Sequence, residues 1–596
     1  MSVLPRVTEL PQYQLMTQTF YGRNHQGKTG DGQSYEETNM SAEAYPNLAV
    51  RKKRSVFLAD RNPLGLAAKD APAWVDGSEL WYNGQKIPNI TLSTDEDMLQ
   101  KQLVSMGAYL IVWPDGVYVN THDFSDSGTM AAEYVQEGAS VSLTPCSIDG
   151  ENYELSDAAI SDNAPEEPVN GDYWIDTSGG EHILRQYSAA SGAWASIATV
   201  YVKIGCPGIG EAFNQYDGIE ISGLAYSGDN PTTAEQVADL NAANHVQLVG
   251  ADWIVVSGML FEAVTVTCDI EVTRPVPKMQ YITELNNRLW GCFYGMSDGK
   301  VLNEIYCSAL GDMRVWKRFL GTSTDSYAVS VGSDGAFTGI IAHMGEVLAW
   351  KENCVHRIYG TEPAGFTLDT TLCEGVQKGS WQSLVSVNGT LYYKSRGGVM
   401  AYDGSLPAEV GKALGDVRYY DASAGAFGAL YYISMRDKAG AWHLMTFDTE
   451  KGIWHREDDL RATHITRMDD SLLAVDPEGE RILDLRGEIG TPEDGLTPWS
   501  WETGVVGYEY AEHKYLSRFN IRLSVPQGAT ARLAIEYDSS GVWVEHGGIV
   551  GKNGLLNTMM LPVIPRRCDH LRLKIYGTGD VRIWSIARIL EVGGDG

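Results

Sequence analysis

Apolar and polar residues alternate along most of this chain in short runs that end at a glycine or an aspartate, after which a second apolar run begins. The pattern recurs in "AWVDGSELWYNGQKI", "AYLIVWPDGVYVN", "IAHMGEVLAWKENCVHRIYG", "SVNGTLYYKSRGGVMAYDG" and "SLLAVDPEGERILDL". Turn pairs such as Asn388-Gly389, Gly397-Gly398 and Asp403-Gly404 bracket these runs, and such pairs supply the backbone angles of two-residue hairpins. Degenerate units of about 40 to 45 residues, each sufficient for a four-stranded sheet, are what a β-propeller requires. The expected fold is all-β: a β-propeller of about six or seven blades, an inserted mostly-β domain and a C-terminal β-sandwich. Trp81, Trp113, Trp290, Trp316, Trp350, Trp381, Trp442 and Trp454 fall once or twice per blade. Most are expected to pack blades together, and a minority to line protein interfaces.

The pattern divides the chain into an extended N-terminal arm (1–62), a first propeller part (63–126), an insert (127–276), the remaining propeller (277–490) and the terminal sandwich (491–596). The insert holds the polar link "SDNAPEEPVNGD", and propeller loops accept such insertions at modest entropic cost. In the sandwich segment "HLRLKIYG", Leu571, Leu573 and Ile575 share one face and His570, Arg572 and Lys574 the other, the alternation of a half-buried strand. Two stretches predict helices: 94–107, with acids in its first turn, and 231–244, with Thr233 available as a cap.

Charge narrows the partners. The 596 residues hold 46 Lys and Arg against 77 Asp and Glu, a net −31, which argues against tight wrapping of nucleic acid. It is compatible with a wall that DNA slides past, because acidic surfaces repel phosphates. The short basic run Arg51-Lys52-Lys53-Arg54 is expected to be a solvated strand end. Eight dispersed cysteines (Cys146, Cys206, Cys268, Cys292, Cys307, Cys354, Cys373, Cys568) form no C-x-x-C pair, which disfavours a zinc or disulfide framework. They are expected as small buried side chains of a protein made in a reducing cytoplasm. The start "MSVLPRVTEL" lacks the basic and apolar regions of a signal peptide, and no transmembrane stretch is found. A product working outside the cell would leave by lysis or within a particle.

Four motifs invite a chemical assignment. Gly22-Arg-Asn-His-Gln-Gly27-Lys28-Thr29 matches the spacing of a phosphate-binding loop. That loop works only between a buried strand and a helix N-terminus, and the flanks "PQYQLMTQTF" and "GDGQSYEETN" offer neither. Asp538-Ser-Ser-Gly541-Val-Trp543 is the nearest approach to a sialidase box but lacks its spacing. Cys568-Asp569-His570 lines up three catalytic residue types, yet adjacent strand residues point to opposite faces. The glycines of "CPGIGEAF", Gly208 and Gly210, lack the third glycine of a dinucleotide loop. No catalytic, cofactor-binding or metal-ligating residue is therefore assigned, no cofactor is expected, and the chain is expected not to be an enzyme.

Other residues carry a family resemblance. The arm "TFYGRNHQGKTGDGQSYEETNMSAEAYPNLAVRKKR", with Glu36, Asn39-Met40, Pro46, Leu48 and Arg51, resembles the opening of a group of tailed-bacteriophage virion proteins. "LVSVNGTLYYKSRGGVMAYDGSLPAEVGKAL" is similar to a blade of the tail nozzle, or tail hub, proteins of short-tailed phages, as is "NRLWG" followed by "IYCSALGDMRVW" with Ser308, Gly311-Asp312 and Trp316. The resemblance spans most of 1–126 and 279–593 and leaves the insert unexplained. It implies a structural subunit in a ring, commonly of six copies, extending the DNA ejection channel below the portal and head-to-tail adaptor and holding tail fibres or a plug. Double-stranded DNA would pass without sequence-specific binding, and the location would be the phage tail of the virion. An arm too polar to fold alone can be ordered by adding to a neighbour's sheet edge. The alternatives are a glycan-binding or glycan-degrading β-propeller, and a baseplate or receptor-binding component of a long-tailed phage.

Overall fold

The hairpin runs become antiparallel strand pairs, and the pairs assemble into successive four-stranded sheets. The computed structural model describes residues 10–593, apart from 99, 181, 198–199, 298, 553–555 and 562. Among these residues seven blade-type sheets follow one another, with first strands starting at Gly65, Gln102, Tyr281, Phe337, Val385, Tyr419 and Ile465. The turns act as their residues demand. Asn388 and Gly389 both take positive φ, 49° and 80°, so that Val385–Val387 turns directly into Thr390–Lys394. The protein is an all-β chain built on a β-propeller, with additional β domains.

The chain divides into two units, one of 1–104, 333–358 and 368–596, the other of 105–332 and 359–367. In the first, neighbouring blades share apolar layers. Trp350 of the fourth blade, fully buried, meets Tyr393 and Tyr402 of the fifth at 4.7 and 5.5 Å. Leu473, Val475 and Ile482 of the seventh pack on Leu66 and Trp74 of the first. Of the blade tryptophans, Trp113, Trp290, Trp316, Trp350 and Trp454 are buried, while Trp81, Trp381 and Trp442 are half-buried.

The arm differs from the expected extension. Gln12–Thr17 and Leu48–Val50 both pair with Arg582–Val592, and Glu36–Thr38 pairs with Pro498–Glu502. Both sheets of the terminal sandwich thus include arm strands, and the edges they use belong to the same chain. Their apolar residues explain the choice: Phe20, Met40, Leu48 and Val50 enter one core with Trp499, Trp501, Phe519 and Leu573. Ser55–Ala59 then pairs with Arg481–Asp484 and supplies a strand to the seventh blade. The basic run is not a solvated strand end. Arg51 and Arg54 are buried, because each faces the acidic pair Glu457 and Asp458.

Two helix expectations change. Among the described residues of 94–107 only Glu96–Met98 forms a helical turn. Gln102–Met106 is instead the first strand of the second blade, turning at Gly107 (φ 55°) into Tyr109–Trp113, because sheet pairing overrides local helix preference. The second helix runs Pro231–Asp239 and is capped by Asn230, whose side chain accepts from the Thr232 and Thr233 amides. The Thr233 hydroxyl donates to Glu262 instead, at 2.6 Å.

That helix lies in the insert of the second unit. A seven-stranded sheet is centred on Ala132–Cys146 and Val264–Arg274. Ala132 stands opposite Arg274, so the chain enters and leaves the insert side by side and the blade repeat continues. A smaller sheet, Ala159–Ser161, Tyr173–Asp176, Ile183–Ser188 and Ala193–Ser196, accompanies it.

Candidate functional site

The phosphate-loop look-alike sits in the arm, and its residues are held by protein. Gly22 belongs to a two-residue strand, Gly22–Arg23, that pairs with Gln33–Ser34. A Cβ on Gly22 would lie 2.3 Å from the Trp454 carbonyl oxygen. Lys28 is exposed with no helix behind it. Thr29, the position that would meet a metal ion, presses on the sandwich instead: a Cβ on Gly504 would lie 1.7 Å from its Oγ1. The His25 amide donates to the Ala413 carbonyl (2.8 Å) and Gln26 Nε2 to the Lys412 carbonyl (2.8 Å).

The polar residues beside this loop form a buried clamp that the sequence reading missed. Glu37, 1% exposed, accepts from the Ser34 hydroxyl (2.6 Å) and the Arg456 amide (2.9 Å) and lies 2.9 Å from His455 Nδ1. Burial pushes its carboxyl up, but the His455 charge and these donors outweigh burial and hold it below the usual range. Glu36 takes Arg23 at 2.6 Å and His25 at 3.0 Å. Burial opposes its ionisation, and these partners still bring it down to about 2. Asn39 turns at φ 58° and accepts from Arg51 Nε at 2.7 Å.

The two near-miss motifs of the C-terminal region meet at one end of the sandwich. Residues 568–570 precede the strand Leu571–Thr578 rather than lying in it, so strand alternation does not separate them. Cys568 points into the core; its thiol donates to the Lys514 carbonyl at 3.5 Å, and burial pushes it up to about 11. His570 and Asp569 do converge, Nδ1 to Oδ2 at 2.9 Å. The third member is Ser539, from the box-like segment, whose Oγ lies 2.7 Å from His570 Nε2. Its hydrogen bond to His570 keeps Asp569 below the usual carboxylate range. The turn that carries Ser539 is laced to the segment before this strand: Asp538 Oδ1 accepts from the Asp569 and His570 amides (2.7 and 3.3 Å), and its own amide donates to the His570 carbonyl (3.0 Å). Asp538 and Ser539 both hold positive φ, 53° and 50°, unusual for consecutive non-glycine residues. The Tyr508 ring lies 4.8 Å from the imidazole. The pairing of 538–539 with 569–570 was beyond the sequence, since it depends on which strands become neighbours.

Elsewhere the described residues hold no cluster of three His, Cys, Asp or Glu able to bind a metal ion. No helix among them is long and apolar enough to cross a membrane. Ser308 and Trp316, two of the blade residues that carry the resemblance, are buried in the second unit.

Neither a family model nor a curated protein matches the chain. Solved structures do resemble it. An exo-β-1,3-galactanase from Phanerochaete chrysosporium is 9% identical, covering 52% of this chain and 94% of its own, with a TM-score of 0.23. AztD from Citrobacter koseri is 10% identical over 74% of this chain and 97% of its own, at 0.25. A glycoside hydrolase family 43 arabinoxylan arabinofuranohydrolase from Bacillus subtilis is 10% identical over 51% of this chain and 94% of its own, at 0.17. Likeness of this degree carries no argument about activity. It does correct one expectation: hydrolases stand among the structures this chain resembles, so the exclusion of an enzyme, made from motifs alone, is withdrawn.

Proposed function

We propose that the chain is a tail-nozzle subunit of a short-tailed bacteriophage, repeated in a ring that continues the DNA channel below the portal and adaptor and that holds a fibre or plug. The observation that supports this most is what the resemblance residues do. The Glu36–Thr38 strand, Asn39, Met40, Leu48 and Arg51 tie the arm to the sandwich and to Glu457 and Asp458 beside the sixth blade. A wall through which DNA passes needs its parts joined in this way, and a net charge of −31 keeps phosphates from adhering to it. Immunogold electron microscopy of purified particles, with an antibody against 132–274, tests the proposal. Gold at the end of a short tail is expected; unlabelled particles, with the protein confined to the lysate, would refute it.

A second reading, glycan binding, is favoured by an aromatic group on the small sheet of the insert. Trp194 stands 5.6 Å from Trp174 and 5.4 Å from Tyr187, and Arg185 lies over Trp174. Trp174 is buried, while Trp194 and Tyr187 are half-buried, and half-buried rings suit the apolar face of a sugar. On a glycan array the chain should then retain a ligand that Trp194→Ala loses; an array blank for the unaltered chain sinks this reading.

A further inference from the structure

Ser539, His570 and Asp569 form a continuous hydrogen-bonded line, Oγ to Nε2 at 2.7 Å and Nδ1 to Oδ2 at 2.9 Å. This is the order of contacts by which an imidazole activates a hydroxyl while a carboxylate fixes its tautomer. The line is also preset. Ser539 sits on a turn at positive φ that Asp538 fastens to the Asp569 and His570 amides, and strained backbone of this kind persists where surrounding contacts enforce it. Ser539 is exposed while the His570 side chain is only 13% exposed, so the nucleophile is reachable and its base is sheltered by Tyr508.

We propose that these three residues are a hydrolytic triad, with Ser539 as nucleophile, His570 as general base and Asp569 as the positioning residue, acting on acyl esters displayed by a larger molecule. The exposed setting of Ser539 at a sandwich end suits an ester that projects from a polymer. In the first step Ser539 Oγ bonds to the ester carbonyl carbon as its proton passes to His570 Nε2. The carbonyl electron pair moves to oxygen and returns as the bond to the alcohol breaks, and the alcohol leaves with the proton from Nε2. Water then attacks the acyl-serine in the same way, yielding a carboxylic acid and free Ser539. The nearest turn amides are already engaged, Ser540 by the Tyr537 carbonyl and Gly541 by Glu536 Oε1. One missing oxyanion donor costs about 100- to 1000-fold in rate, so turnover is expected to be slow and covalent labelling is the better readout.

The intact chain is treated with a fluorophosphonate and the modified residue located by peptide mapping. Label on Ser539 is expected, absent in Ser539→Ala and slowed about 100-fold in His570→Gln, the typical worth of a general base. Asp569→Asn, which leaves the backbone contacts in place, keeps the test decisive should His570→Gln unfold. It should slow labelling with the deficit narrowing at high pH, where hydroxide replaces the base. The titratable groups facing this line are Asp538, Tyr508, His513 and Lys514, and a purely structural lace would show no such pH profile. An unlabelled Ser539 in the folded chain, or labelling unchanged in both His570→Gln and Asp569→Asn, overturns the proposal.

Discussion

Glu37 fastens the arm through a buried contact with His455. It lies beside His455 with both side chains almost fully covered, 0% and 3% exposed. Removing one partner of a buried pair costs about 3 to 5 kcal/mol, because the other is left without compensation. Glu37→Gln should therefore destabilise the sandwich by about 3 kcal/mol, read from denaturant unfolding followed through the buried Trp499 and Trp501. Acid should act in the same place. Glu36 is held at about 2, below its ordinary 4.5, and Glu37 and Asp458 are shifted the same way. A carboxyl depressed on folding contributes fully above its unfolded value, and the contribution fades as pH falls through the folded one. Amide exchange over 36–38 should lose protection between pH 4.5 and about 2, ahead of the apolar strand Thr390–Lys394; simultaneous loss would contradict the clamp. Little of this clamp was legible in the sequence. "SYEETNM" reads as a polar stretch, and Arg51 and Arg54 read as solvated, because their acidic partners lie about 400 positions away.

At the scale of elements, short-range patterns were legible and long-range pairings were not. Period-two alternation marked the blade hairpins and the strand Leu571–Thr578, since each is specified by its own residues and turn. The helix expected over 94–107 failed because the competing partner, Tyr109–Trp113, depends on a turn at Gly107. The arm strands were unreadable for a stronger reason: Gln12–Thr17 finds Arg582–Val592 across most of the chain, and alternation carries no information about partners. Val56 tests the importance of one such pairing. It stands between Leu483 and Thr491, an interior sheet position where proline cannot donate to the ladder and is essentially not tolerated. Val56→Pro should expose the seventh blade to proteolysis near Arg481–Asp484 while leaving the insert resistant. Unchanged cleavage would show that the arm strand is dispensable.

For the whole molecule, the candidate site and the assembly role rest on different evidence. The triad residues were present as two separate motifs, Asp538 to Trp543 and Cys568 to His570, and only the fold of the sandwich joins them. The proposed assembly role draws on the resemblance and on a fold in which one arm serves both the seventh blade and both sandwich sheets. A cryo-electron microscopy reconstruction of virus particles purified from the lysate that contains this chain tests the proposed role most directly. Several copies are expected around the DNA channel at the end of a short tail, each with its arm folded onto its own sandwich. Particles lacking the chain, or carrying it only at the distal tip of a long tail, would contradict it.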